Sequence, residues 1–143
     1  MKTEYSDEKG RYGFYGAEHA PREIRDLYLD LEHVWCLETC GPKYKPQWSP
    51  ENPTAGQCTI TSFLVQDLFG GKVYGVPLPE GGFHCFNKLG EFVFDLTSEQ
   101  FQDVELEYTE NFEQHREEQF GDAGKRERYE LLKKLLEKYR ESK

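Results

Sequence analysis

Basic charge is in short supply in this chain: 18 Lys and Arg stand against 27 Asp and Glu, a formal charge of −9 over 143 residues. That balance repels a phosphate backbone and no basic stripe interrupts it, so no nucleic-acid partner is expected. Long apolar runs are missing as well, the longest being a few residues, too short to cross a bilayer. The N-terminal MKTEYSDEKGRYG has no hydrophobic stretch of the signal-peptide kind, so the sequence predicts a cytoplasmic protein without membrane contact. Cysteine occurs only four times, at Cys36, Cys40, Cys58 and Cys85. A domain of this size does not depend on disulfides, and free thiols are expected.

What is present suffices for one core. Hydrophobic residues make up 36% of the chain and aromatics 15%, with ten Phe and nine Tyr, and 143 residues can bury about two-thirds of their unfolded surface. A single domain over residues 1–143 follows, with 1–20, rich in Gly and charge, as a mobile arm that carries a short strand around Phe14.

From Pro21, the spacing of Ile24, Leu27, Leu31, Val34 and Trp35 predicts an amphipathic helix that Gly41-Pro42 stops. GPKYKPQWSPENPTAG then reads as a long irregular loop, anchored by Trp48, that delivers the chain to Cys58. Cys58, Ile60, Phe63, Leu64 and Leu68 describe a short amphipathic helix ended by Gly70-Gly71. KVYGVPL and FHCFNKLGEFVFDLT alternate and are rich in aromatic and β-branched residues, which predicts strands, the last two joined as a hairpin. Residues 98–124 are acidic and weakly patterned, with Phe101, Val104 and Leu106 as core contacts. KRERYELLKKLLEKYRE closes the chain as a helix with Tyr129, Leu132, Leu135, Leu136 and Tyr139 on its buried face.

Cys58 at the start of a helix draws a chemical reading. Unpaired backbone N–H groups and the helix dipole favour a thiolate there, and the same groups can hold an oxyanion. A nucleophile needs a base and the base an orienting group, and the hairpin offers His84 and Asp95. An even-length connection places both on one sheet face; a four-residue loop NKLG would do so. Phe83, Cys85, Phe92 and Phe94 then form an apolar face, and His84, Phe86, Val93 and Asp95 share the other, against which the Cys58 helix is expected to lie.

Each residue also has a structural reading. Cys58 can be a buried core thiol, Asp95 can cap the turn at LTSEQF, and Asn87 reads as a turn residue. His33, Cys36 and Cys40 recur at i, i+3 and i+7 and are competent zinc-ligand types, but no C-x-x-C or H-x-x-x-H pair completes a site, and packing is the expectation. His115, Arg116 and Glu117 read as solvated surface.

The run WSPENPTAGQCTITSFLVQDLFGG, followed by HCFNKLGEFVFDLTSEQF and RYELL, resembles the YunG-like family of uncharacterised bacterial proteins over roughly residues 35–136. More distantly, Cys at a helix start, His on a strand and Asp on the next resembles papain-like and transglutaminase-like enzymes. Phe86 stands where the latter usually carry Trp, and the His-to-Asp gap is shorter. This resemblance implies Cys58 as nucleophile, His84 as general base and acid, and Asp95 as the group that fixes the imidazole tautomer. It also puts Asn52 and Gln57 forward as oxyanion donors, against the alternative that both satisfy loop backbone.

The combined expectation is an α+β, papain-like domain in which the Cys58 helix packs on an antiparallel sheet between N- and C-terminal helices. It would act as a cysteine-dependent hydrolase or acyl transferase on a peptide, amide or thioester, without metal or organic cofactor. The alternative is a non-catalytic binding module on the same fold, with Trp48 and the Pro-rich loop as its recognition surface.

Overall fold

In the computed structural model, which describes residues 13–101 and 106–143, the first helix, α1, spans Arg22–Leu31. Ile24, Leu27, Tyr28 and Leu31 repeat at helical spacing and are almost completely buried. The sequence predicts this helix as far as Gly41, but it ends ten residues earlier. The end tightens into turns, His33 N–H donating to the Asp30 carbonyl at 3.0 Å and Val34 N–H to the Leu31 carbonyl at 2.9 Å, and beyond it the Thr39 hydroxyl accepts from the Cys36 N–H at 3.1 Å and donates to the Cys36 carbonyl at 3.0 Å. Those Thr39 bonds close a short 3-10 turn at Leu37–Thr39. Val34 and Trp35 are buried all the same, capping the core from the turn.

The Pro-rich approach is ordered. A 3-10 segment covers Pro42–Gln47, Ser49 bridges Asn52, and the half-buried Trp48 indole donates to the Pro53 carbonyl at 3.0 Å. Gly56 has φ 71°, and a Cβ there would lie 2.6 Å from Cys40 Sγ and 2.9 Å from Gly41 N, so only glycine fits where the chain turns in beneath Cys40.

Helix α2, Cys58–Phe69, starts directly afterwards. Ile60 through Val65 are all buried, so this half is enclosed on every side, while Leu68 is exposed; the helix is a core helix rather than the amphipathic one expected. Strands β1 (Lys72–Pro77), β2 (Phe83–Leu89), β3 (Phe92–Phe94) and β4 (Glu113–Gln114) form one antiparallel sheet in the order β3-β2-β1-β4.

The β2–β3 connection is the two residues Gly90 and Glu91, with Asn87 opposite Phe94, rather than the four-residue NKLG. An even count preserves the parity, so His84, Phe86, Val93 and Asp95 keep a common face. Helix α2, however, packs on the other face: Cys85 and Phe94 share a core with Ile60, Phe63 and Leu64. Phe86 instead joins Tyr74, Val76, Val93, Leu106 and Tyr108 on the far side. Asn87 is a mid-strand residue, not a turn, and its amide donates to the Ser62 carbonyl of α2 at 2.9 Å.

A short helix α3 (Arg116–Gln119) precedes the 19-residue α4 (Ala123–Glu141), which buries Tyr129, Leu132 and Leu136 in the core containing α1 and α2. Asp122 caps α4 by accepting from the Lys125 N–H at 2.9 Å. Arg116 is not simply solvated: it pairs with Asp67 and lies over the rings of Phe63, Phe120 and Tyr129.

Residues 13–20, expected as part of a mobile arm, are packed down. Phe14, Ala17 and Ala20 are core residues, and Tyr15 bridges Asp95. Residues 1–12, Val104 and the Phe101 side chain lie outside the described residues. Among the described residues no helix is long and apolar enough to cross a membrane.

Candidate active site

Cys58 is the first residue of α2, so its own N–H and those of Thr59 and Ile60 precede the first intrahelical bond, made by Thr61 N–H to the Gln57 carbonyl at 3.1 Å. No side chain caps this end. Positive charge is therefore presented where the thiol sits. Trp35 fixes the helix start from below, its indole N–H donating to Thr61 Oγ1 at 2.9 Å.

His84 comes from β2 and Asp95 from the residue directly after β3. Both are 1% exposed, and His84 Nε2 lies 2.6 Å from Asp95 Oδ2. The carboxylate is saturated: Oδ2 also accepts from the Tyr108 hydroxyl at 2.8 Å, while Oδ1 accepts from the Thr97 N–H at 3.1 Å and the Thr97 hydroxyl at 3.2 Å. Asp95 thus holds the turn and meets the imidazole at once, combining the two roles that the sequence left open. Burial and this carboxylate push the Tyr108 hydroxyl well above its ordinary range, so it stays a donor. Tyr15 stacks on Tyr108 at 4.1 Å between ring centres, and its carbonyl accepts the Asp95 N–H at 3.0 Å.

With Nε2 committed to Asp95, Nδ1 is the nitrogen left to face the pocket. Gln100 reaches it, Nε2 to Nδ1 3.3 Å, while its other amide atom accepts from the Gly56 N–H at 3.3 Å. The Gln100 NH2 can donate to Nδ1 only in the neutral imidazole, so Gln100 ties the ring to the backbone that leads into Cys58 in that state and not in the cation.

The thiol interacts with two neighbours. Cys58 is held well below the ordinary thiol value of 9.0, first because Cys85 donates its S–H to the thiolate, and further because the His84 cation lies beside it; burial opposes both. His84 rises to about 10: burial works against the cation, but Asp95 and the Cys58 thiolate outweigh it. Cys85 moves up, since its proton is retained in the bond to Cys58 and its site is buried. Thr59 Oγ1 lies 3.8 Å from Cys58 Sγ and 3.6 Å from Cys85 Sγ, at the junction of the two thiols.

Cys58 and His84 line an open pocket of about 360 Å³ with Tyr44, Thr59, Gly82 and Gln100 among its walls. The amides of Gln57 and Asn52 are used elsewhere: Gln57 Nε2 donates to the Cys36 carbonyl at 3.1 Å and Asn52 Nδ2 to the Gln47 carbonyl at 3.1 Å. The Cys85 backbone N–H also supports the thiolate, and the N–H groups at the start of α2 precede the first intrahelical bond beside it. His33, Cys36 and Cys40 do not share a helical face, because α1 ends before Cys36. His33 stacks on Tyr139, Cys36 opens the 3-10 turn and Cys40 donates to the Gly41 carbonyl. Among the described residues no group of three or more His, Cys, Asp or Glu could hold a metal ion.

Sequence reasoning missed Gln100, Tyr108 and the second role of Cys85. DLTSEQF carries the one available signal, since Gln100 follows Asp95 by five residues across a turn that Asp95 itself closes.

The model of the YunG protein family matches residues 23–141. The uncharacterized protein YunG of Bacillus subtilis (strain 168) is 35% identical over 114 residues, which is 78% of this chain and 96% of that protein. No solved structure matches the chain. The matched segment contains α1, the Cys58 helix, all four strands and α4, and on that basis the chain belongs to the YunG family.

Proposed function

We propose that the protein is a cysteine-dependent hydrolase or acyl transferase with a papain-like or transglutaminase-like site, acting on an amide or thioester. The observation that carries this reading is the His84–Asp95 pair set in the same open pocket as Cys58, which stands at a helix N-terminus on its wall. Four groups that the chemistry needs are in one place: a thiolate, a cationic imidazole, a carboxylate that fixes its tautomer, and backbone donors.

Cys58 Sγ attacks the carbonyl carbon, and the electron pair of the C=O bond moves to oxygen, which the N–H groups of Cys58 and Thr59 receive. As the tetrahedral species collapses, His84 Nδ1–H protonates the leaving amine or thiolate, and the acyl group remains on sulfur. Neutral His84 then takes a proton from water, or from an acceptor amine, that attacks the thioester. Collapse returns the thiolate and the imidazolium. Asp95 keeps the second ring proton on Nε2 throughout.

Acyl-enzyme trapping tests this directly. With p-nitrophenyl acetate at neutral pH, a burst of p-nitrophenol is expected, with the acetyl group located on Cys58 by mass spectrometry after an acid quench. In His84→Ala the burst rate should fall by about 100-fold or more, the range of positioned acid–base catalysis. Equal acetylation rates in the two proteins would refute the reading and leave the pocket as a binding site.

A further inference from the structure

The pocket beside Cys58 has a charge unlike that of the chain. Acidic residues outnumber basic ones by 27 to 18 overall, yet no carboxylate lines this cavity and three cations do: Lys43, Lys125 and Arg128. They converge from separate elements. Lys43 belongs to the 3-10 segment after Gly41, while Lys125 and Arg128 are one helical step apart near the start of α4.

Among the described residues none of the three forms an ion pair, whereas Arg116, Lys88, Arg140 and Lys143 each hold a carboxylate. Lys125 Nζ donates instead to a neutral partner, Gln119 Oε1, at 2.7 Å, and Gln119 also lines the pocket. The nearby acid, Asp122, stands outside the lining with its Oδ1 engaged by the Lys125 N–H as the helix cap. Three like charges face one cavity; Lys43 lies over the Tyr44 ring, and Asp122 offsets Lys125 and Arg128 only from outside the lining. A bound anion would relieve their mutual repulsion. A volume of about 360 Å³ is small among ligand sites and suits a compact molecule.

We propose that the acyl compound reacting at Cys58 is a small anion, whose carboxylate or phosphate group is held by Lys125 and Arg128 with Lys43 opposite. This rests on the reading of Cys58 as a nucleophile. The cations fix the charged end of the substrate in the same cavity that Cys58 lines. Neutral analogues of the same size lose the anchoring and with it the alignment.

Iodoacetate and iodoacetamide differ by one charge at nearly equal size, so the ratio of their Cys58 alkylation rates reads the field in the pocket. The His84 cation raises that ratio in every variant, and the informative quantity is its change on substitution. In Lys125→Met and Arg128→Met the ratio should fall about threefold each, the order given by unit charges several ångströms apart in water, and salt should erode the wild-type ratio in parallel. Lys43→Met, on a separate segment, should do the same without touching α4.

A ratio unmoved by all three substitutions overturns the proposal and leaves the nucleophile reading intact, because iodoacetamide alone reports thiol activation. Labelling of Cys58 by both reagents no faster than that of Cys36 overturns both. Succinate and inorganic phosphate, added separately as competitors of iodoacetamide, distinguish the sources of the anion. The one that protects Cys58 at the lower concentration identifies the group.

Discussion

His84 shows how a buried strand residue is held in one orientation. Its Nε2 is locked to Asp95 at 2.6 Å, and the carboxylate is locked in turn by Thr97 and Tyr108, so the ring cannot turn away from the sulfur. The paired shifts carry a stability signature. In the unfolded chain the thiol titrates near 9.0 and the imidazole near 6.5, while in the folded protein Cys58 titrates well below 9.0 and His84 near 10. The lowered Cys58 pKa gives stability that is lost as pH falls through its folded value, and the raised His84 pKa gives stability that is lost as pH rises from 6.5 through about 10, so the two slopes oppose each other in between. Above 9.0 only the folded state retains a proton, and stability falls as pH passes through about 10. Removing the thiol exposes the His84–Asp95 half alone. Asp95 alone then supports the cation against burial, and the stability it gives is present below 6.5 and lost as pH rises. Denaturant midpoints of Cys58→Ala measured against wild type should therefore fall progressively between pH 6.5 and 9, at up to about 1.4 kcal/mol per pH unit. Parallel curves would show that the two groups are not an ion pair.

At the level of elements, the hairpin explains what the sequence could and could not show. Side-chain alternation is a parity signal, so the shared face of His84 and Asp95 was legible even though NKLG is not the turn and Gly90-Glu91 is. The face that α2 covers was not legible. Phe86 and Phe94 are both fully buried because this sheet is covered on both sides, and the apolar pattern alone does not say which side holds the helix. The end of α1 was hidden for a different reason: Val34 and Trp35 stay buried after the helix has tightened into turns at Asp30–Val34, so apolar spacing continues past the last helical residue. The N-terminal segment was misjudged because its few anchors, Phe14, Ala17 and Ala20, sit among polar and glycine residues. Gly16 makes that segment essential. It has φ 85°, and a Cβ would lie 2.3 Å from the Val93 carbonyl oxygen. Gly16→Ala should cost about 1–3 kcal/mol in chemical denaturation and slow Cys58 alkylation, because Tyr15 would lose its hold on Asp95 and its stacking on Tyr108. A stability loss with Cys58 reactivity unchanged would show that the segment supports the fold but not the site.

For the whole molecule, the site depends on contacts far apart in sequence. The order of Cys58, His84 and Asp95 was readable, as were the helix opening at Cys58 and the buried face of α4. Gln100 and Tyr108 were not, since they reach His84 and Asp95 from the acidic segment, where no periodicity marks a direction. Helix α4 has two duties: its apolar face closes the core on α2, and its first turns bring cations to the pocket. The chain thus places local positive potential beside a thiol within a molecule of net charge −9. The account as a whole rests on the claim that Cys58 is a thiolate at neutral pH because of His84 and Cys85. Residue-resolved iodoacetamide labelling across pH 4–10, on wild type and His84→Ala, tests it most directly. The account predicts that Cys58 alkylates with an apparent pKa well below about 8.5, far ahead of Cys36 and Cys40, and that His84→Ala moves this pKa upward. A Cys58 profile that matches Cys36 and ignores the substitution would contradict it.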